Sequence, residues 1–167
     1  MVPVLLILIP LLAGLVTFFI RDEKVARLWS LLGSLAVLLV SVLGLTVLKQ
    51  EKNLQFSTEW LSALNSSFSV KLDSMSQLLC LLNAIAYPLV ILSTWQTSYK
   101  KAHHFFGLML LAQAGMMGVF LATDALLFYF CWELALIPMY FLCSQWGGEK
   151  RIAVTFKFFV YTFLGSL

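Results

Sequence analysis

Apolar residues run along this chain in long blocks separated by short polar turns. The blocks cover residues 2–20, 28–48, 75–95, 105–122, 125–146 and 153 to the end, each to within a residue or two. A helix needs about 20 residues to cross about 30 Å of hydrocarbon at about 1.5 Å per residue, and the blocks fit that length or begin to. They are apolar on every side. A transmembrane β-barrel would need period-two alternation, so it is excluded. The pattern predicts an all-α polytopic membrane protein with about six transmembrane helices. Residues 1–20 have no basic leader, and the next block follows at once, so they read as a retained helix and not as a cleaved signal. The one sizeable polar stretch is 50–72. Within it, residues 56–60 and 68–72 alternate apolar and polar side chains around Asn65-Ser66-Ser67, which predicts a short outward hairpin. Asp73 then stands where the third helix needs an N-cap.

Composition narrows the function classes. Of 167 residues, 61% are hydrophobic and 11% charged, with a mean hydropathy of +0.93. Soluble domains run at about 45–50% apolar and about 25% charged. A soluble enzyme, a disordered chain, a secreted disulfide scaffold and a nucleic-acid module are all excluded. The partner implied is the lipid bilayer. Cys80, Cys131 and Cys143 lie inside apolar blocks and read as small core hydrophobes, not disulfides or metal ligands.

The net charge of +3 is dispersed and carries topology. Arg21, Lys24 and Arg27 follow the first block, Lys100 and Lys101 the third, Lys150 and Arg151 the fifth. Only Lys49, Lys52 and Lys71 occupy the opposite side. Seven against three places the basic turns inside and the N-terminus outside. Trp29, Trp60, Trp95 and Trp146 fall near block ends, as interfacial anchors do. His103 and His104 read as part of a solvated turn.

Glu133 is the outstanding candidate for chemistry. It lies nine residues, or about 13 Å, from Asp124 and fourteen, or about 21 Å, from Gly147, which puts it near the bilayer centre. An acid there costs roughly 2.5–3.5 kcal/mol on insertion scales. Such a group exchanges a proton as a partner charge moves, which is what a proton relay requires; the plainer alternative is an acid kept for packing. Tyr129, Tyr140 and Ser144 share its helical face at i−4, i+7 and i+11. Pro138 lacks an N–H, so the carbonyl of Leu134 loses its helical donor beside Glu133. Lys157, about 9 Å into the last block, is the second intramembrane charge. It either snorkels to the inner interface, or pairs with Glu133, or forms a station between Glu133 and the inner surface.

Ser76, Cys80, Asn83 and Tyr87 form a second polar stripe, read as interhelical hydrogen bonding. Ser30, Ser34 and Ser41 read as packing, and Ala114, Gly118 and Ala122 as a close-packing face. No Cys cluster, intramembrane His pair, phosphate loop or catalytic Ser/His/Asp set is present in the sequence. Electrons, if the protein serves a redox enzyme, travel elsewhere.

The stretch Gly118-Val-Phe-Leu-Ala-Thr-Asp124, the Trp132-Glu133 pair, the run Pro138-Met-Tyr-Phe-Leu142, and Trp146-Gly147 resemble the antiporter-like subunits of respiratory complex I. The likeness is greatest to the M subunit, the counterpart of mitochondrial subunit 4, and extends to Lys157-Phe-Phe-Val-Tyr161-Thr and Gly165-Ser166. The resemblance implies a larger bundle of roughly fourteen helices containing two inverted five-helix repeats. Residues 1–104 would hold helices one to three, with an outward loop at 49–73, and 105–167 the start of the first repeat (helices four, five and part of six). It implies a proton-transfer role for Glu133, whose presumed lysine partner on helix seven would lie beyond Leu167. The chain would therefore be the front part of a longer protein or half of a split one, and its partners the missing C-terminal part and other complex I membrane subunits. No cofactor is expected in this chain; flavin and iron–sulfur clusters would sit in other subunits. The membrane implied is the bacterial inner membrane, with the mitochondrial inner membrane as alternative. Competing functions are a subunit of an Mrp-type cation/proton antiporter or membrane-bound hydrogenase, and a truncated non-catalytic scaffold.

The charge count yields a direct test of orientation. A cysteine placed at Lys101 should resist an impermeant thiol reagent applied from outside, whereas one placed at Lys71 should react. Outside labelling at Lys101 would reverse the orientation.

Overall fold

The computed structural model describes residues 1–46, 54–61 and 66–166. In chain order these form α1 (Val2–Thr17), α2 (Glu23–Thr46), β1 (Gln55–Leu61), β2 (Ser66–Lys71), α3 (Ser74–Ser93), α4 (Ala102–Leu121), α5 (Ala125–Trp146) and α6 (Arg151–Ser166). Lys49, Lys52, Asn65 and Leu167, which entered the sequence reading, lie outside the described residues. The all-α membrane architecture read from hydropathy is observed. Helices α2 to α5 are each long and apolar enough to cross a membrane.

Local chemistry sets the helix ends. The first apolar block outlasts α1 because Phe18, Phe19 and Ile20 donate their N–H groups three residues back, to Leu15, Val16 and Thr17, in tight turns. Helix α2 starts before its apolar block, because Asp22 Oδ1 accepts from the N–H of Lys24 at 2.9 Å and of Val25 at 3.5 Å. The charged first turn thereby becomes helical. Asp73 caps α3 as expected, accepting from Ser76 N at 2.7 Å.

Helix α4 is the central post. Of its apolar window 67% is buried, against 28–33% for α2, α3 and α5. It packs against α1, α2, α3 and α5, while α6 packs on α5. Small residues permit the close approaches. A methyl added to Gly14 of α1 would stand 3.1 Å from the carbonyl oxygen of Gly107 on α4. One added to Gly115 would come within 2.7 Å of the Ala135 backbone on α5, and one on Gly118 within 2.6 Å of Cys131 Sγ. The close-packing face read from sequence as Ala114, Gly118 and Ala122 is thus corrected. Ala114 is fully buried and Gly118 is in close contact, Gly115 joins them as the contact to Ala135, and Ala122 has left the helix as its C-cap.

The polar stretch forms the expected hairpin, with β1 antiparallel to β2 and a register shift between Glu59 and Leu61. The turn between α4 and α5 is stitched to it. Ala122 bridges Val70, and Thr123 donates from its N–H to the Ser69 carbonyl at 3.0 Å. Asp124 completes the joint. Its carboxylate accepts from Ser66 Oγ at 2.9 Å and Ser67 N at 3.4 Å on β2, and from Leu126 N at 2.9 Å and Leu127 N at 3.2 Å on α5. One side chain therefore caps α5 and ties it to the hairpin.

At the opposite end, Arg27 gathers α2 and the α3–α4 turn. Its guanidinium donates to Glu23 at 2.8 Å, to the Thr97 carbonyl at 2.9 Å and to the Trp95 carbonyl, and it lies over the Trp95 and Phe106 rings. The turn enters α4 through Lys101 in the left-handed region (φ 59°). His103 and His104 are not in a solvated turn. They lie half-buried in the first turn of α4, with the His104 ring edge-on to Phe18 at 5.6 Å.

Two tests follow from these contacts. The Ser66 hydroxyl, followed by the Leu127, Ser67 and Leu126 N–H groups, holds the Asp124 carboxyl below its ordinary value. A depressed carboxyl stabilises the fold above its unfolded value, about 3.9, and loses that contribution as pH falls through the lower folded value. Trp60, whose ring lies 5.6 Å from Phe130 of α5, reports the joint. In a variant keeping Trp60 as its one tryptophan, emission should change as pH falls below about 4, and Asp124→Asn should flatten that change.

Gly115→Ala sets two effects against each other. Alanine gains about 0.5–1 kcal/mol of helix preference over glycine, but overpacking a tight contact costs about 1–3 kcal/mol. The unfolding temperature should fall. An unchanged or higher value would mean that α4 and α5 lie further apart than described.

Candidate functional site

The site is built on α5. Asp124 starts the helix and Gly147 ends it, with Gly147 N donating to the Cys143 carbonyl at 3.1 Å. Leu127, Cys131, Ala135, Pro138 and Leu142 form the buried stripe that faces α4, and buried Leu136 lies off it, on the side of Glu133. Glu133 lies two residues from Cys131, hence about 200° round the helix, on the side away from α4. It is half-buried. Eight residues separate it from Ala125, which places it about 12 Å below the outer end of α5.

Tyr129, Tyr140 and Ser144 are half-buried along the same side, so the polar stripe read from sequence exists as a physical face. Its members behave differently. The Tyr140 ring sits edge-on to Phe159 of α6 at 5.3 Å, which turns this face toward the α5–α6 seam. Ser144 spends its hydroxyl on its own helix, donating to the Phe141 carbonyl at 3.2 Å. Pro138 is buried within α5, so the Leu134 carbonyl it frees lies one residue along the chain from Glu133.

Lys157 is exposed on α6. Buried Thr155 and half-buried Phe159 mark the side of α6 that meets α5. Lys157 is two residues from each and so about 200° away from both. The helix rotation turns it from the α5 seam, toward whatever surrounds α6.

Trp132, Leu136 and Met139 line the neighbouring face of α5. With Tyr87, Met116 and Phe158 they enclose an open apolar cleft of about 300 Å³ between α3, α4, α5 and α6. Glu133 is outside its lining. Cys80 and Cys131 are buried, as read from sequence, but Cys143 is exposed on α5 and is not a core residue. On α3, Cys80 and Asn83 are buried while Ser76 and Tyr87 are half-buried, and Ser30, Ser34 and Ser41 of α2 are buried. Ser30 and Ser34 donate to carbonyls of their own helix, consistent with packing. Sequence reading passed over Gln113, which is fully buried at mid-helix in α4. A lone amide in an apolar block was the signal.

Residues 122–167 match the family model described as NADH:quinone oxidoreductase/Mrp antiporter, transmembrane. Among curated relatives, the F(420)H(2) dehydrogenase subunit M of Methanosarcina mazei is 41% identical over 172 residues, covering 100% of this chain and 35% of the relative. The chloroplastic NAD(P)H-quinone oxidoreductase chain 4 of Mesostigma viride is 40% identical over 168 residues, covering 97% of this chain and 33% of the relative. Among solved structures, a chain of respiratory complex I from Thermus thermophilus with bound NADH superposes with a TM-score of 0.87 at 28% identity, covering 100% of this chain and 34% of that one. The chain spans about a third of the length of the curated relatives it matches. Along its whole length, it is similar to the N-terminal third of the M, or chain 4, antiporter-like membrane subunits.

Proposed function

We propose that the protein is a proton-translocating membrane subunit of a complex I-type quinone oxidoreductase, present here as its N-terminal portion. The observation that carries the reading is Glu133, an acid at mid-helix on a polar face turned away from α4 and toward the α5–α6 seam. What supports it further is the similarity to subunits whose names place them in quinone oxidoreductases.

In this reading α5 holds Glu133 at the membrane centre, where the low dielectric makes its charge state sensitive to any cation that approaches or leaves. Quinone reduction in other subunits moves such a cation or its hydration. Glu133 then takes up or releases a proton. The Leu134 carbonyl freed by Pro138 offers a hydrogen-bond acceptor to water or a side chain beside the acid. The Tyr129 and Tyr140 hydroxyls flank it along the same face. The rotation of Glu133 away from α4 directs this exchange to the α6 side of α5, where the C-terminal remainder or a neighbouring membrane subunit would supply the cation. Electron carriers, including flavin and iron–sulfur clusters, belong to other subunits.

The test uses the full-length protein in its assembled complex. Asp retains the charge at Glu133, and Gln retains shape and hydrogen bonding without titration. Glu133→Asp should keep much of the coupled quinone reduction and proton transport into vesicles. Glu133→Gln and Glu133→Ala should lose most of it, about tenfold or more, while the complex assembles and electron input to an artificial acceptor upstream of quinone continues. Parental pumping in Glu133→Gln would make the acid structural.

Lys157 gives a graded outcome. As a relay group it should show lowered pumping in Lys157→Ala with normal assembly. Equal pumping in the parent, Lys157→Ala and Lys157→Arg would remove it from the site and leave snorkelling as its role.

A further inference from the structure

Polar groups that the Glu133 chemistry does not use collect on the other side of α4. Gln113 is 0% exposed and lies eight residues, or about 12 Å, below the outer end of α4 at Leu121. Neither its Nε2 nor its Oε1 meets a partner among the described residues. Asn83 of α3 is 8% exposed and lies nine residues, or about 13 Å, below the outer end of its helix at Ser74. Its Nδ2 is likewise without a partner among the described residues. Pro88 has no N–H, so the carbonyl of Ala84, a fully buried residue adjoining Asn83, loses its helical donor.

These groups face one interface. Gly115, two residues beyond Gln113 and about 200° round α4, contacts Ala135, so Gln113 points away from α5. Its same-face neighbours are Phe106, seven residues back, and Met117, four residues on. Phe106 belongs to a buried cluster with Ile91 of α3 and Leu31 of α2, while Met117 belongs to the larger core that joins Val37 of α2 and Cys80 and Ala84 of α3 to residues of α1 and α5. Gln113 is therefore presented toward α2 and α3 at the depth of Asn83 and Ala84.

Amides left without partners in hydrocarbon are costly, and with no exposed surface Gln113 is beyond reach of a partner subunit. The chemistry of the set selects the occupant. Two NH₂ donors stand with the Gln113 and Ala84 oxygens as acceptors. A cation would meet both donors and no carboxylate, and an acyl chain would satisfy none of the groups. Water both donates and accepts, and buried waters take two to four polar partners as a rule. We propose that Gln113, Asn83 and the Ala84 carbonyl bind internal water between α3 and α4, fixing the two helices in register at the depth of Glu133 but across α4 from it. The proposal stands independently of any proton transfer at Glu133.

The test uses the full-length protein in its assembled complex. A map that resolves ordered water should show density within hydrogen-bond reach of both amides; amides bonded directly to each other or to backbone would overturn the site. Gln113→Leu and Asn83→Leu should each lower the unfolding temperature by a few degrees, and the double variant should lose clearly less than the two shifts together, because the shared water is lost once. A raised temperature in Gln113→Leu, or additive losses, would contradict a shared water. Gln113→Met, which keeps the length, serves the same comparison if leucine prevents folding. Stabilisation of the parent by sodium over choline at equal ionic strength, abolished in Asn83→Leu, would assign the groups to a cation instead.

Discussion

Helices surrounded by hydrocarbon gain little from hiding apolar side chains from one another, so their association rests on how closely their backbones can pack. In this protein that constraint is met at α4. Gly107 lets α1 in, and Gly115 and Gly118 let α5 in, to distances that a single added methyl would violate. The rest of the arrangement depends on this. Because Ala135 and Cys131 must face those glycines, α5 has one rotation available to it, and Glu133, about 200° from Cys131, is turned away from α4. The hairpin joint at Asp124 then fixes α5 along its axis. Rotation comes from the glycines and height from the carboxylate cap, and together they place one acid.

The same solvent that demands close packing penalises every polar group without a partner. Most polar side chains in the spans meet this locally. Thr17, Ser30, Ser34, Ser93 and Ser144 donate to carbonyls one turn back in their own helices. Arg27 is neutralised by Glu23 and donates to the Trp95 and Thr97 carbonyls of the α3–α4 turn. Against this background the Gln113 and Asn83 amides stand out, at a depth similar to that of Glu133 but across α4 from it.

Much of this was legible in the sequence, for definite reasons. Unbroken apolar blocks report helices because lipid leaves the backbone only helices and closed barrels, and a barrel strand would alternate. Asp73 was readable as a cap because an aspartate stands immediately before the third block, where a helix start needs a side-chain acceptor. The hairpin showed in period-two alternation at 56–60 and 68–72. Glu133 was conspicuous because acids at that depth are rare. What escaped depends on rotation and on contacts between distant segments. Gly115 cannot be recognised as the contact to Ala135 until α5 is in place. The side of α6 that carries Lys157 is set by Tyr140 and Phe159, not by its distance from Arg151. Gln113 was passed over because one amide makes no stripe, and its significance lies in what surrounds it. His103 and His104 were read from their charged neighbours, but Phe18 draws His104 into the bundle.

The central claim is that Glu133 changes its protonation state while the protein works. Infrared difference spectroscopy on the full-length protein in its assembled complex observes this directly, because a protonated carboxyl carries a C=O stretch that its carboxylate lacks. During quinone reduction the account predicts a carboxylic band that rises and decays with turnover, shifts when the glutamates are labelled with ¹³C, and is missing in Glu133→Gln. A difference spectrum that is unchanged in Glu133→Gln, recorded on an assembled complex in active turnover, would contradict it.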